Sequence, residues 1–143
     1  MKHLVIEKKL YCSATTCLDL FWDICKWNRF WEPIQKTTVI YNDGAHQEFL
    51  MDLNWEGGRS QIRTIRFLNP LKNIDFFSPN PPSPMTQHQG SWNFIPCSDT
   101  TCILQAKRSY VLHSRSRKKF HTRFKSRISK LLDQVGEWCQ KEL

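Results

Sequence analysis

The apolar positions of this chain change period three times. Residues 3 to 12 carry β-formers and read as a strand. Ser13 is suited to cap the next segment. Ala14, Cys17, Leu18, Phe21, Trp22 and Cys25 then recur at helical spacing, which predicts a helix over 14–25. Trp27, Phe30 and Trp31 predict a second short helical turn over 27–32, stopped by Pro33. Next come strands at about 36–41 and 46–55, joined by the hairpin signal Asn42-Asp43-Gly44. Glu56-Gly57-Gly58 turns the chain into a strand over 59–68, ended by Asn69-Pro70. A weaker strand covers 72–78, and the proline-rich run 78–84 is expected to be a loop. Strands at 86–95 and 101–112 flank a turn over 96–100. From about 116 the period becomes helical again: Phe120, Phe124, Ile128, Leu131, Leu132, Val135, Trp138 and Cys139 share one stripe, with Lys and Arg on the other faces.

This order predicts an α+β domain. A curved sheet is apolar on one face and must bury it. A terminal helix too short to fill the concave side leaves a cavity, so the layout points to a small-molecule pocket. Alternation assigns the faces. Gln47, Phe49, Met51, Leu53 and Trp55 point inward, as do Gly90, Trp92 and Phe94, and Leu104, Ala106, Arg108 and Tyr110. The strand 59–68 stays ambiguous: Ile62, Thr64 and Arg66 share one face, Arg63, Ile65 and Phe67 the other.

At 143 residues the chain is one domain by size, residues 1–143. No stretch is long and apolar enough to span a bilayer as a helix. The N-terminal apolar run is too short for a secretory leader and is followed at once by charge, which points to a cytoplasmic protein. The net charge of +8 is an uneven average. Residues 107–130 hold ten Lys or Arg and no Asp or Glu, and the remainder is slightly acidic, so an electrostatic partner belongs on that segment. The six cysteines lie in or beside apolar segments without a C-x-x-C, and read as reduced core thiols rather than metal ligands.

Several stretches resemble the polyketide cyclases and aromatases of the START-like (helix-grip, SRPBCC) superfamily. Phe21-Trp22-Asp23-Ile24-Cys25-Lys26-Trp27 resembles their Phe…Asp…Trp helix. Ile62-Arg63-Thr64-Ile65-Arg66 through Asn69-Pro70 resembles their W-x-S-x-R-x-x-D-P strand. Pro84-Met85 with Gly90-Ser91-Trp92-Asn93-Phe94 resembles P-x-x-M-x-x-x-W-x-Y, and Asp99-Thr100-Thr101 their G-T turn. The resemblance spans nearly the whole chain and rests on order and spacing. It implies a seven-stranded antiparallel sheet wrapped around the long C-terminal helix, with two short helices after the first strand. It places Thr64 and Arg66 inside, Arg66 as the pocket arginine, Thr64 at the serine position, and Trp27 and Trp92 as pocket tryptophans. Two departures stand out: the motif's tryptophan is Ile62, and a tyrosine expected after the helix pair is Ile34.

The activity so implied is aldol cyclisation of a carrier-bound poly-β-ketone. Holding two reacting carbons together is worth several kcal/mol. A wall of Trp27, Phe30, Trp31, Phe49, Met51, Ile62, Trp92 and Phe94, closed by Phe124 and Ile128, would do this by shape. Arg66 would stabilise the enolate or alkoxide, Thr64 would hold a water or carbonyl, and Tyr110 with Arg108 would complete the polar end. The chain carries no Ser/His/Asp arrangement, paired carboxylates, phosphate loop or metal set, so a cofactor-free mechanism is expected. His88, His113 and His121 read as surface or structural. Arg117, Lys118, Lys119 and Arg123 would dock an acidic acyl carrier protein. Nucleic acid ranks last, because the basic segment's aromatics all lie on its apolar stripe and none is spare for base stacking. The rival reading is a non-catalytic carrier of a hydrophobic ligand, such as a quinone or lipid, on the same fold.

Overall fold

The computed structural model describes residues 1–70, 73–113 and 119–142. Its elements run β1 (Lys2–Leu10), α1 (Ala14–Trp22), a short 3-10 helix (Ile24–Arg29), β2 (Ile34–Asn42), β3 (His46–Trp55), β4 (Gly58–Leu68), β5 (Asn73–Asn80), β6 (Met85–Ser98), β7 (Thr101–Leu112) and α2 (Lys119–Glu142). The seven strands form one sheet in the order β1-β7-β6-β5-β4-β3-β2, antiparallel throughout. This is a helix-grip fold. No helix among the described residues is long and apolar enough to cross a membrane.

Local chemistry sets the boundaries. Ser13 caps α1 as expected, its Oγ accepting from the Thr16 N–H at 3.1 Å. The helix stops at Trp22, before the expected 25, and the chain tightens into the 3-10 helix. Asp43 organises the β2–β3 turn by accepting from the Ala45 and His46 N–H groups. β3 and β4 are joined by two residues at positive φ, Glu56 at 48° and Gly57 at 81°, matching a type I′ turn. The proline-rich run is less of a loop than expected. β5 continues through Pro79 to Asn80, because a register shift opposite Arg63 and Ile65 accommodates the residue without an N–H. β6 likewise runs through Pro96, again at a register shift. The expected helix start near 116 lies outside the described residues.

α2 lies against β1. At Gly136 an added Cβ would sit 3.0 Å from Lys8 Cε and 3.4 Å from Leu10 Cδ2, and Lys8 pairs with Asp133 at 2.8 Å. Leu132, Val135 and Cys139 are buried there. The helix therefore covers one side of the concave face and leaves β3–β6 open beneath its first half.

Candidate functional site

The uncovered part of the concave face is a cavity of about 480 Å³. Phe49 and Met51 come from β3, Ile62, Thr64 and Arg66 from β4, Phe76 from β5, His88 and Trp92 from β6, and Arg108 from β7. Trp27 and Trp31 close one side, and Phe124, Ile128 and Leu131 of α2 form the roof. The ambiguous strand is thus resolved, with Ile62, Thr64 and Arg66 facing in.

Two buried arginines share the cavity but are held differently. Arg66 is 2% exposed. Its Nη1 donates to the Phe21 carbonyl at 2.8 Å, and its Nη2 to the Trp22 carbonyl at 2.8 Å. Nε and Nη2 also donate to Gln47 Oε1 at 3.0 and 2.5 Å. Those carbonyls are orphan acceptors at the end of α1. The Trp27 indole and the Gln47 amide add a bond to each. Arg66 is therefore first a cap that ties β4 to the helix pair and holds Trp27, with one Nη1 hydrogen to spare. Desolvation brings its pKa down to about 9, partly offset by Asp23.

Arg108 is looser. Its guanidinium carbon lies 4.2 Å from the Trp92 ring centroid and 4.6 Å from that of Phe76. Nη1 donates to the Lys107 carbonyl at 2.8 Å and to that of Ser91 at 3.4 Å. Nε and Nη2 have no hydrogen-bond partner among the described residues. Burial lowers its pKa to about 9, so the guanidinium stays charged near neutrality. Gly90, paired with Arg108, makes room for it: an added Cβ would lie 2.2 Å from the Lys107 carbonyl oxygen and 3.1 Å from Arg108 Cδ.

His88 packs edge-on to Phe76 and Phe124. Burial, then the charge of Arg108, lowers its pKa to about 3, so the imidazole is neutral. Its Nε2 is buried and without a partner among the described residues, as are Arg127 Nη1 and Gln134 Oε1. All three residues line the cavity. At the rim, Glu56 receives Arg123 at 2.8 Å and Arg127 at 2.7 Å, and Arg127 covers the Trp55 ring at 4.3 Å. Arg123, then Arg127, hold the Glu56 carboxyl below its ordinary pKa.

Of the expected pocket residues, Trp27, Trp31, Phe49, Met51, Ile62, Thr64, Arg66, Trp92, Arg108, Phe124 and Ile128 line the cavity. Three do not. Phe30 and Phe94 pack behind the wall against Phe21, because the 3-10 helix turns Trp27 rather than Phe30 toward the space. Tyr110 is wedged between Phe120 and Phe124, and its hydroxyl meets His121 Nδ1. Of the expected docking residues, Arg117 and Lys118 lie outside the described residues, Lys119 is exposed, and Arg123 is engaged by Glu56. His88 was not expected here, although it alternates in phase with Gly90 and Trp92 on the inner face of β6. Cys25 and Cys97 are exposed, not core.

The fold is shared with several solved structures. The chain superposes on the Zhui aromatase/cyclase from Streptomyces sp. R1128 with a TM-score of 0.90 at 12% identity, covering 98% of this chain and 94% of that one. It matches a START superfamily protein from Mycobacterium smegmatis with a TM-score of 0.78 at 16% identity, over 94% and 97% of the two chains. The di-domain aromatase/cyclase BexL of the BE-7585A biosynthetic pathway gives 0.78 at 16% identity, over 94% of this chain and 46% of that one. No family model and no curated protein sequence matches the chain.

Proposed function

We propose that this protein is an aromatase/cyclase that directs aldol closure of a poly-β-ketone delivered on an acidic acyl carrier protein. One observation supports it most. Three fully enclosed side-chain polar atoms without partners among the described residues, on His88, Arg127 and Gln134, all belong to residues lining one aromatic cavity. Buried polar groups are normally paired, so the cavity suits an occupant with several oxygens on a flat, apolar frame.

The substrate's methylenes, each between two carbonyls, are acidic enough to enolise with little help. The enolate carbon attacks a distant carbonyl, a C–C bond forms, and that carbonyl oxygen becomes an alkoxide that takes up a proton. The cavity's contribution is shape plus a fixed cation. Arg108, with Nε and Nη2 free, stabilises the oxyanion as charge develops. His88 Nε2 gives or accepts one hydrogen bond, and Thr64 holds a second oxygen. Arg66 keeps Trp27 in place and offers its remaining N–H. The named neighbours Zhui and BexL are aromatase/cyclases, which favours this chemistry over carriage of a quinone or lipid.

The test is product analysis after adding the protein to a reconstituted polyketide synthase. Arg108→Gln should lower the yield of the directed ring by about 10²-fold while the circular dichroism spectrum is unchanged. An unaltered product distribution, together with a lipid or quinone that copurifies, would favour the carrier reading instead.

A further inference from the structure

Three of the six cysteines cluster away from the cavity, and a fourth, Cys139, adjoins one of them. Cys12 follows β1, Cys17 lies on α1, Cys102 begins β7 beside Leu10, and Cys139 sits near the end of α2. None lines the cavity. The Sγ atoms of Cys12, Cys17 and Cys102 lie within 4.8 Å of one another, and Cys139 Sγ is 3.6 Å from that of Cys12. Cys17 and Cys102 are fully buried and Cys139 nearly so, while Cys12 is 6% exposed and marks the open side. The two remaining cysteines, Cys25 and Cys97, stand apart and exposed.

We propose that Cys12, Cys17, Cys102 and Cys139 bind one thiophilic d10 metal ion, zinc, as a structural site. Zinc holds four thiolates at about 2.3 Å in a tetrahedron, which sets sulfur–sulfur edges of about 3.8 Å. The Cys12–Cys139 pair is already at that spacing; the edges among Cys12, Cys17 and Cys102 need side-chain adjustment, and Cys139, which is not within 4.8 Å of all three, must swing further in. Four sulfurs from four separate elements suit a closed structural site, with no position left for substrate. The set is all soft sulfur, which selects zinc over magnesium or calcium. Binding releases the thiol protons to solvent. Cys12, immediately before the N-cap of α1, stands beside the positive end of that helix. The ion would clamp the end of α2 to β1, α1 and β7, fixing the roof from outside the catalytic space.

The test uses the full chain, reduced and metal-free, titrated with cobalt(II) as probe. The expected result is about one equivalent bound, with tetrahedral d–d bands and sulfur-to-cobalt charge transfer that zinc displaces. Cys25→Ser and Cys97→Ser should leave the bands intact. Cys17→Ser and Cys102→Ser should abolish them, and Cys139→Ala should weaken binding at least tenfold. Since core substitutions can unfold the domain, wild-type protein gives the second readout: added zinc should raise its Tm and a chelator should reverse the rise. Two outcomes overturn the proposal. One is folded wild-type protein that binds no cobalt while its four buried thiols react only on denaturation. The other is a native mass two hydrogens short, the mark of a disulfide.

Discussion

Arg66 and Arg108 look alike in sequence, each an inward arginine on a strand, yet their surroundings separate them. Arg66 has carbonyls to satisfy; Arg108 has aromatic faces and free N–H groups. Arg66→Ala should therefore act first on stability. It takes one of two donors from each helix-end carbonyl and leaves Gln47 Oε1 unpaired, a loss on the order of 3 kcal/mol by urea unfolding. His88 makes a different prediction. Its pKa is about 3 when folded, against an ordinary value near 6.5 in the open chain. Between these values the unfolded state binds the proton and the folded state does not, so stability falls as pH falls from 6.5 toward 3. By pH 5 the loss amounts to about 2 kcal/mol. His88→Gln should flatten that part of the pH profile, and equal slopes for the two proteins would show that the ring is not held neutral. Arg66 was legible through its resemblance to a motif, but its partners were not. Backbone carbonyls at the end of α1 carry no sequence signature, and only the fold brings them to β4.

Elements were legible where periodicity and turn chemistry agreed. Ser13, Asn42-Asp43-Gly44 and the apolar stripe of α2 each placed a boundary or a face. The chain also carries two C-S-x-T-T-C runs, at 12–17 and 97–102, and their fates show the limit of local reading. In the first, Ser13 caps a helix; in the second, Ser98 Oγ accepts from the Thr100 N–H to close a hairpin. The residues after each run make the difference: apolar ones at helical spacing beyond Cys17, alternating ones beyond Cys102. The β3–β4 turn was legible, but its second use was not. Glu56 takes a positive φ that Gly or Asn would adopt more easily, and in that position its carboxylate receives Arg123 and Arg127. Glu56→Asn keeps the turn and removes the charge. It should cost about 1 kcal/mol at low salt, less in high salt, with faster amide exchange confined to the first half of α2. An effect independent of salt would mean that the ion pairs do not anchor the helix.

At the scale of the whole molecule, one sheet serves two purposes. Its β1–β7 side packs against α2 and is solid; its β3–β6 side is hollow. That division arises because α2 approaches β1 at Gly136, a contact between residues so far apart in sequence that no local pattern announces it. The hollow was expected from the order of elements, while its occupant must be inferred from the polar atoms left open. Ile62 offers a direct probe of its size. It stands on β4 where the resembled motif carries tryptophan, and it lines the cavity. Ile62→Trp should therefore be tolerated by the fold and narrow the space. A ligand that binds only the folded state stabilises it by about 2.7 kcal/mol at a hundredfold excess over Kd. A small aromatic diketone should raise the Tm of both proteins by several degrees. A multi-ring polyketide should raise that of the wild type alone. If the larger ligand stabilises both equally, it is not bound between Ile62 and the roof, and the cavity is not where this protein holds that ligand.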